Sequence, residues 1–436
     1  MCAVRRLPGV ADVTSVTMGA MAANAAGYLF QLLAGRWLGV VGYSEFASLL
    51  AVQLLCAVPA LALQNVVARD VVRGAPAATA RALGWRCAAV VTVVVAALIP
   101  VVSAGLDVGA AAAAGALVAA PAQVLISGEQ GILQGARRFR SLAAVLGGAG
   151  IARVTPALLA LVLGAGATIA LWAATFGLGA AALVARCANG VSSDGDRVGD
   201  TRPQGGQVRD SAVDSVDAST FDARVWARGA AVLRAAQVQA ALMALSSVDL
   251  IVARIVLSDA DAGRYALGAI ASKIAFWLPQ AIAVVLYPRM AQPRYSARAV
   301  RDALGVLSAV GIVAVLGAAV LAPVAPLLAG HDYAPIEGWL WLFALDGALL
   351  ALLQGALLSA IAVDRTAPAA MTWVGMIVEV GAIALFCRSL PALITTATIV
   401  VAVVTATIIA MVLRAAQRTP QSTPRTREPR ASEARS

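Results

Sequence analysis

The sequence predicts an all-α polytopic membrane protein of about twelve transmembrane helices, and three observations predict it. Hydrophobic residues make up 61% of the 436-residue chain and charged residues only 13%, a balance far from that of a soluble domain. Apolar runs near the ~20 residues that a helix needs to cross the hydrocarbon core recur along the chain. Arginine is concentrated in every second connection between those runs.

Taken in order, the runs lie near residues 14–37, 44–67, 84–104, 109–128, 142–162, 166–186, 228–254, 263–287, 302–323, 338–361, 370–388 and 391–413. The third and fourth are parted only by weakly polar residues around Asp107. Alternate connections hold Arg5 and Arg6; Arg69, Arg73, Arg81 and Arg86; Arg137, Arg138 and Arg140; Arg289, Arg294, Arg298 and Arg301; Arg365; and six arginines from Arg414 to Arg435. The opposite set holds only Arg36, Arg254, Arg264 and Arg388. Because Lys and Arg beside span ends stay on the cytoplasmic side, both termini are expected inside and the span count even.

One long polar segment interrupts the pattern. Residues 187–227 carry seven aspartates (Asp194, Asp196, Asp200, Asp210, Asp214, Asp217 and Asp222) and few large apolar side chains. Such a segment cannot bury a core, so it is expected to be a disordered cytoplasmic linker. It divides the chain into residues 1–186 and 228–414, with six spans each. Residues 415–436, rich in Pro, Ser, Thr and Arg, are expected to form a disordered basic tail against an anionic leaflet.

The net charge of +10 is explained by orientation and anionic headgroups rather than by nucleic acid. Cys2, Cys56, Cys87, Cys187 and Cys387 have neither a disulfide framework nor metal-ligand spacing. No motif calls for a metal or cofactor. The apolar run after Arg5 and Arg6 is too long for a cleaved signal and is expected to remain as the first span.

The halves show a weak repeat. Arg36, Tyr43, Pro59 and Arg69 in the first half match Arg254, Tyr265, Pro279 and Arg289 in the second, with ten residues from Pro to Arg in both. Proline bends a membrane helix, so two similarly curved helices are expected to face each other.

In order along the chain, Arg36-Trp37-Leu38-Gly39 with Gly42-Tyr43, Leu133-Gln134-Gly135 with Phe139, Asp249 with Ala253-Arg254, Gly263 and Tyr265, and Pro279 with Pro288-Arg289 resemble the flippases of bacterial oligosaccharide and polysaccharide precursors. That family belongs to the multidrug/oligosaccharidyl-lipid/polysaccharide exporter superfamily. The family's glycine after the first-loop tyrosine is Ser44 here. The resemblance implies two six-helix lobes around a central cavity that opens alternately to each side. It implies outward transfer of a polyprenyl-linked saccharide for cell-envelope polysaccharide synthesis, a place in the bacterial plasma membrane, and glycosyltransferases of the same pathway as partners.

An anionic, hydroxylated headgroup needs cationic and amide groups in a hydrated cavity. Arg153, Arg234 and Lys273 are the three basic residues that belong to no loop, and Lys273 is the only lysine. At i, i+4 and i+7, Lys273, Trp277 and Gln280 share a helix face, continued by Val284 and Tyr287. The first span presents Asn24, Tyr28 and Gln31 and the second Gln53 and Gln64, which interhelical packing would use equally well. The alternative for Lys273 is a buried ion pair with Asp249, Asp346 or Glu379. Those three acids lie in the second half and are the candidates for coupling to a cation. Arg36 and Arg254 read as headgroup anchors in preference to an outer gate.

Other classes fit less well. A cation-coupled multidrug exporter of the same superfamily remains the main alternative, although the first half has no acid well inside a span. A membrane glycosyltransferase would need catalytic acids or histidines on sizeable outer loops, where only His331, Asp332 and Glu337 cluster. A non-transporting scaffold would have no use for polar side chains within several spans. The chain is therefore expected not to be an enzyme.

Overall fold

The computed structural model describes residues 10–198, 237, 240–290, 297–361 and 367–418. Among them every regular element is helical, and they form six spans in each half. Helix α1 (Val10–Cys56) contains two spans, because Gly39 takes φ 67° and ψ 176° and reverses the chain there. A Cβ disfavours that backbone conformation, so glycine makes the turn possible without a loop. The second limb of α1 continues past a turn at Ala57 into α2 (Val58–Val72), which has a proline in its first turn. Pro59 has no N–H to give to the preceding turn, and the helix is interrupted where that bond would fall.

The first half is completed by α3 (Ala77–Leu106), α4 (Ala110–Leu117) and α5 (Ala119–Gly135), which form one span stepped at Val118, then α6 (Phe139–Val162) and α7 (Ala167–Val198). In the second half, residues 240–245 are helical and a turn at Ser246 and Ser247 precedes α8 (Val248–Val256). There follow α9 (Asp259–Met290), α10 (Ala297–Leu321), short α11 (Val324–Ala329), a 3-10 segment (His331–Trp339), α12 (Leu340–Ile361), α13 (Ala367–Phe386) and α14 (Leu390–Arg418). Lipid as solvent demands this all-helical solution, since each backbone group must be satisfied within its own span.

Three expectations need correction. The linker does not begin at residue 187, because α7 runs on to Val198. Asn189 is buried and donates to Glu129 of α5 at 2.9 Å, which ties the extra helical turn to the bundle. The tail does not begin at residue 415, because α14 continues to Arg418. The prolines are not equivalent either: Pro59 opens a new helix, whereas Pro279 lies within the continuous α9. The rest of the proposed linker, the start of the seventh span and the end of the tail lie outside the described residues.

Within the first half, α5 packs against α2, α3 and α7, and α6 against α1 and α7. Within the second, α12 packs against α9, α10 and α14. The halves join chiefly through α1 and α9. The contact is closest at the end of the bundle that holds Gly39, Asp107 and Leu257, termed here the Gly39 end. A Cβ on Gly263 of α9 would collide with the Val40 carbonyl, so only glycine permits that approach. Tyr43 and Tyr333, both fully buried, meet edge-on across the halves at 6.4 Å and 80°. The opposite end, with the connections around Arg73 and Arg138, is termed the arginine-rich end.

Candidate functional site

Each half places one cation within a span, Arg153 on α6 and Lys273 on α9. Arg153, midway along α6, donates from Nη2 to the Gln53 Oε1 of α1 at 3.1 Å. Lys273, fourteen residues into α9, lies close enough to feel the charge of Arg153. Tyr28 of α1 crosses between the halves to donate its hydroxyl to the Lys273 carbonyl at 3.4 Å. Neither cation forms an ion pair among the described residues. Among the described residues no salt bridge joins Lys273 to a second-half acid, although the Asp249 carboxylate acts on Lys273 more strongly than Arg153 does. An unpaired guanidinium and ammonium inside a membrane protein are costly, and an anion held between them would relieve that cost.

The remaining cavity candidates separate. Trp277, half-buried, meets Phe276 edge-on at 5.2 Å and packs with the second-half core. Gln31 is half-buried and Asn24 exposed on α1, and among the described residues neither has a side-chain hydrogen bond. Gln64 bonds Gln134 at 3.3 Å, the interhelical role that its neighbours suggested. Arg234 and the side chain of Gln280 lie outside the described residues.

The three acids of the second half form a second cluster. Asp249 of α8, Asp346 of α12 and Glu379 of α13 are 8%, 5% and 1% exposed, and the charge of Asp249 acts on both Asp346 and Glu379. Tyr265 of α9, fully buried, donates to Asp249 Oδ2 at 2.7 Å. Among the described residues Asp249 Oδ1, Asp346 Oδ1 and Glu379 Oε2 have no hydrogen-bond partner. Buried polar atoms are almost always satisfied, so three unpartnered carboxyl oxygens in one region of the second half set it apart from the rest of the interior. Lys273 also feels Asp249, which links the cluster to the pair of cations. Among the described residues no group of acids, histidines and cysteines is arranged to hold a metal ion.

Arg254 is not free at the headgroups, whereas Arg36 is exposed. The Arg254 side chain is only 8% exposed. It reaches from α8 into the first half, donating to Ser44 Oγ at 2.9 Å, the Leu106 carbonyl at 3.2 Å and the Asp107 carbonyl at 3.4 Å, and it pairs with Asp259 in its own half. Arg36 reaches the other way, to the carbonyls of Leu327 and Leu328 at 3.1 and 3.2 Å. Tyr333 donates to the Gly35 carbonyl at 3.0 Å. Ser44, where the family pattern has glycine, supplies one of these ties. His331, Asp332 and Glu337 belong to the 3-10 segment that braces this closure, with the Asp332 carbonyl accepting from Arg264 at 2.8 Å.

No protein-family model and no curated protein matches the chain. Solved structures do. A multidrug-resistance MATE family transporter of the MOP superfamily in an inward-facing conformation superposes with a TM-score of 0.64 at 13% identity, over 92% of this chain and 99% of that one. A MATE in complex with MaL6 gives 0.59 at 13% identity, over 94% and 98%. The eukaryotic MATE transporter AtDTX14 gives 0.54 at 13% identity, over 93% and 98%. Together with the two six-span halves described above, these superpositions show that the chain has the fold of the MATE transporters.

Proposed function

We propose that the protein is a carrier that moves a polyprenyl-linked saccharide precursor from the cytoplasmic to the outer leaflet. The observation that carries this reading is the pair Arg153 and Lys273, one from each half and neither ion-paired. A phosphate or pyrophosphate headgroup is the ligand such a pair fits, with Arg153 offering a two-pronged N–H edge and Lys273 a point charge. Tyr28, Gln31 and Asn24 would meet sugar hydroxyls, and Trp277 would flank them. On the arginine bias the arginine-rich end is cytoplasmic and the Gly39 end faces outward. Closure by Arg254, Arg36 and Tyr333 is then closure of the outer gate, and the form described is the inward-facing one. The superposition with an inward-facing transporter agrees with that reading.

Asp249, Asp346 and Glu379 couple the cycle to a cation, the proton being the simplest cargo for carboxyl oxygens without partners. A proton gained there alters the charge beside Lys273, and so its hold on an anion. The same acids favour a second reading, cation-driven export of drugs, and one structural neighbour is named a multidrug-resistance transporter. Reconstitution in liposomes with fluorescent polyprenyl-phosphate and polyprenyl-pyrophosphate sugars separates the two. Protein-dependent exposure of either lipid to an outside quencher supports the flippase. Proton-driven efflux of organic cations, with no movement of any prenyl-linked sugar, supports the exporter.

A further inference from the structure

On the side of the first half turned away from the second, α3 and α7 stand apart over α5 and leave a groove with about 90 Å³ of free space. Its floor and walls are small or apolar: Gly84, Ala122, Leu125, Gly128, Gly179 and Ala182. The faces flanking it, with Val90, Val93 and Val94 on α3 and Phe176, Leu183 and Val184 on α7, are exposed and wholly apolar, as surfaces bathed in lipid are. At the arginine-rich end the groove changes character. Arg81, four residues into α3, and Arg186, nineteen residues into α7, form its rim. By helical rise Gly179 lies roughly 10 Å deeper than Arg186, so the groove descends from headgroup level into the acyl region.

The charges at the rim are unequal. Arg81 is committed, its Nε and Nη2 lying 2.8 and 3.3 Å from Glu129 of α5, whose second oxygen also accepts from Asn189. Arg186 is exposed, sits 5.6 Å over the Trp85 ring, and has no acidic partner among the described residues. Stacking on an indole fixes the plane of a guanidinium and leaves its in-plane N–H edge open. An indole at headgroup level is itself the usual interfacial anchor.

We propose that this groove is a binding site for an anionic glycerophospholipid of the arginine-rich leaflet, with its phosphate on Arg186 beside Trp85 and one acyl chain lying over Gly179 and Ala182. Charge complementarity selects the headgroup, and the small residues make room for the chain. The site faces away from the cleft between the halves and does not depend on what that cleft carries. A Cβ on Gly179 would meet nothing within 4 Å, so a side chain can be introduced there without disturbing the helix.

The test is thermal unfolding of the purified protein in detergent with added dioleoylphosphatidylglycerol, dioleoylphosphatidylcholine or inorganic phosphate, for the wild type, Arg186→Gln and Gly179→Leu. Phosphatidylglycerol should raise the wild-type midpoint by several degrees more than phosphatidylcholine, and phosphate should leave it unchanged. Arg186→Gln should lose the preference between the lipids, and Gly179→Leu the response to phosphatidylglycerol. Equal shifts by both lipids, a shift by phosphate alone, or an undiminished preference in Arg186→Gln would overturn the site. Native mass spectrometry of the wild type, comparing retention of the two lipids, decides the matter without any variant.

Discussion

Both halves bury carboxylates, and they treat them in opposite ways. In the first half Glu129 is 5% exposed, and its two oxygens are taken up by Arg81 and Asn189. In the second, Asp249, Asp346 and Glu379 are equally buried but keep one oxygen each without a partner. A carboxylate enclosed by a guanidinium and an amide is fixed, because removing either side strands a charge. A carboxylate left short of partners is held at a cost that the fold does not recover locally, and the proposed coupling role would account for that cost. The first half thus encloses its carboxylate, and the proposed carrier would use the second as the half that responds.

Substitutions can break or sharpen that contrast. Glu129→Ala leaves Arg81, 22% exposed, without its partner and strands Asn189, and should cost about 1–3 kcal/mol, read as a fall in the unfolding midpoint in detergent. A midpoint unchanged in that variant would remove the first-half side of the comparison. Arg254→Ala removes charge-assisted bonds that exist only when the Gly39 end is closed. The loss should be about 1.5–3 kcal/mol, which moves the equilibrium between the two access states by roughly ten- to a hundredfold. Labelling of a cysteine introduced at Ser44 should rise accordingly.

Tyr265→Phe takes the only side-chain donor from Asp249 and should cost about 1–3 kcal/mol, with transport more strongly impaired than stability. Glu379→Gln should have the smallest effect on folding, neutral or slightly stabilising, because it removes a buried charge that has no salt bridge, while abolishing coupling to a proton gradient. A destabilised Glu379→Gln protein would show that the second-half acids are structural like Glu129.

Much of this was legible in the sequence, for identifiable reasons. The spans follow from apolar runs of membrane length, and the turn at Gly39 from a glycine between two of them. Lys273 and Arg153 stood out because nothing in a loop accounts for them. Other features depend on neighbours that sequence spacing does not reveal. Arg81 and Glu129 are 48 residues apart. Arg254 meets Ser44 across 210 residues, so its place at a span end suggested a headgroup anchor when it is a tie between halves. The break at Ser246 and Ser247 lies in an apolar stretch without glycine or proline, and Ser247 Oγ has no partner among the described residues, so its only local signal is two adjacent hydroxyl residues. The helical turn beyond Arg186 is held by Asn189 reaching another helix, a contact that composition cannot report.

The central claim is that Arg153 and Lys273 together receive an anionic headgroup, and it is tested most directly by binding. Affinity of the purified protein for a polyprenyl-pyrophosphate sugar should be measured for the wild type, for Lys273→Arg and for the double variant Arg153→Ala, Lys273→Ala, with each fold verified by its unfolding midpoint. The account predicts near-normal binding by Lys273→Arg and at least a tenfold loss in the double variant, the equivalent of about 1.4 kcal/mol or more. Undiminished binding by a folded double variant would contradict it.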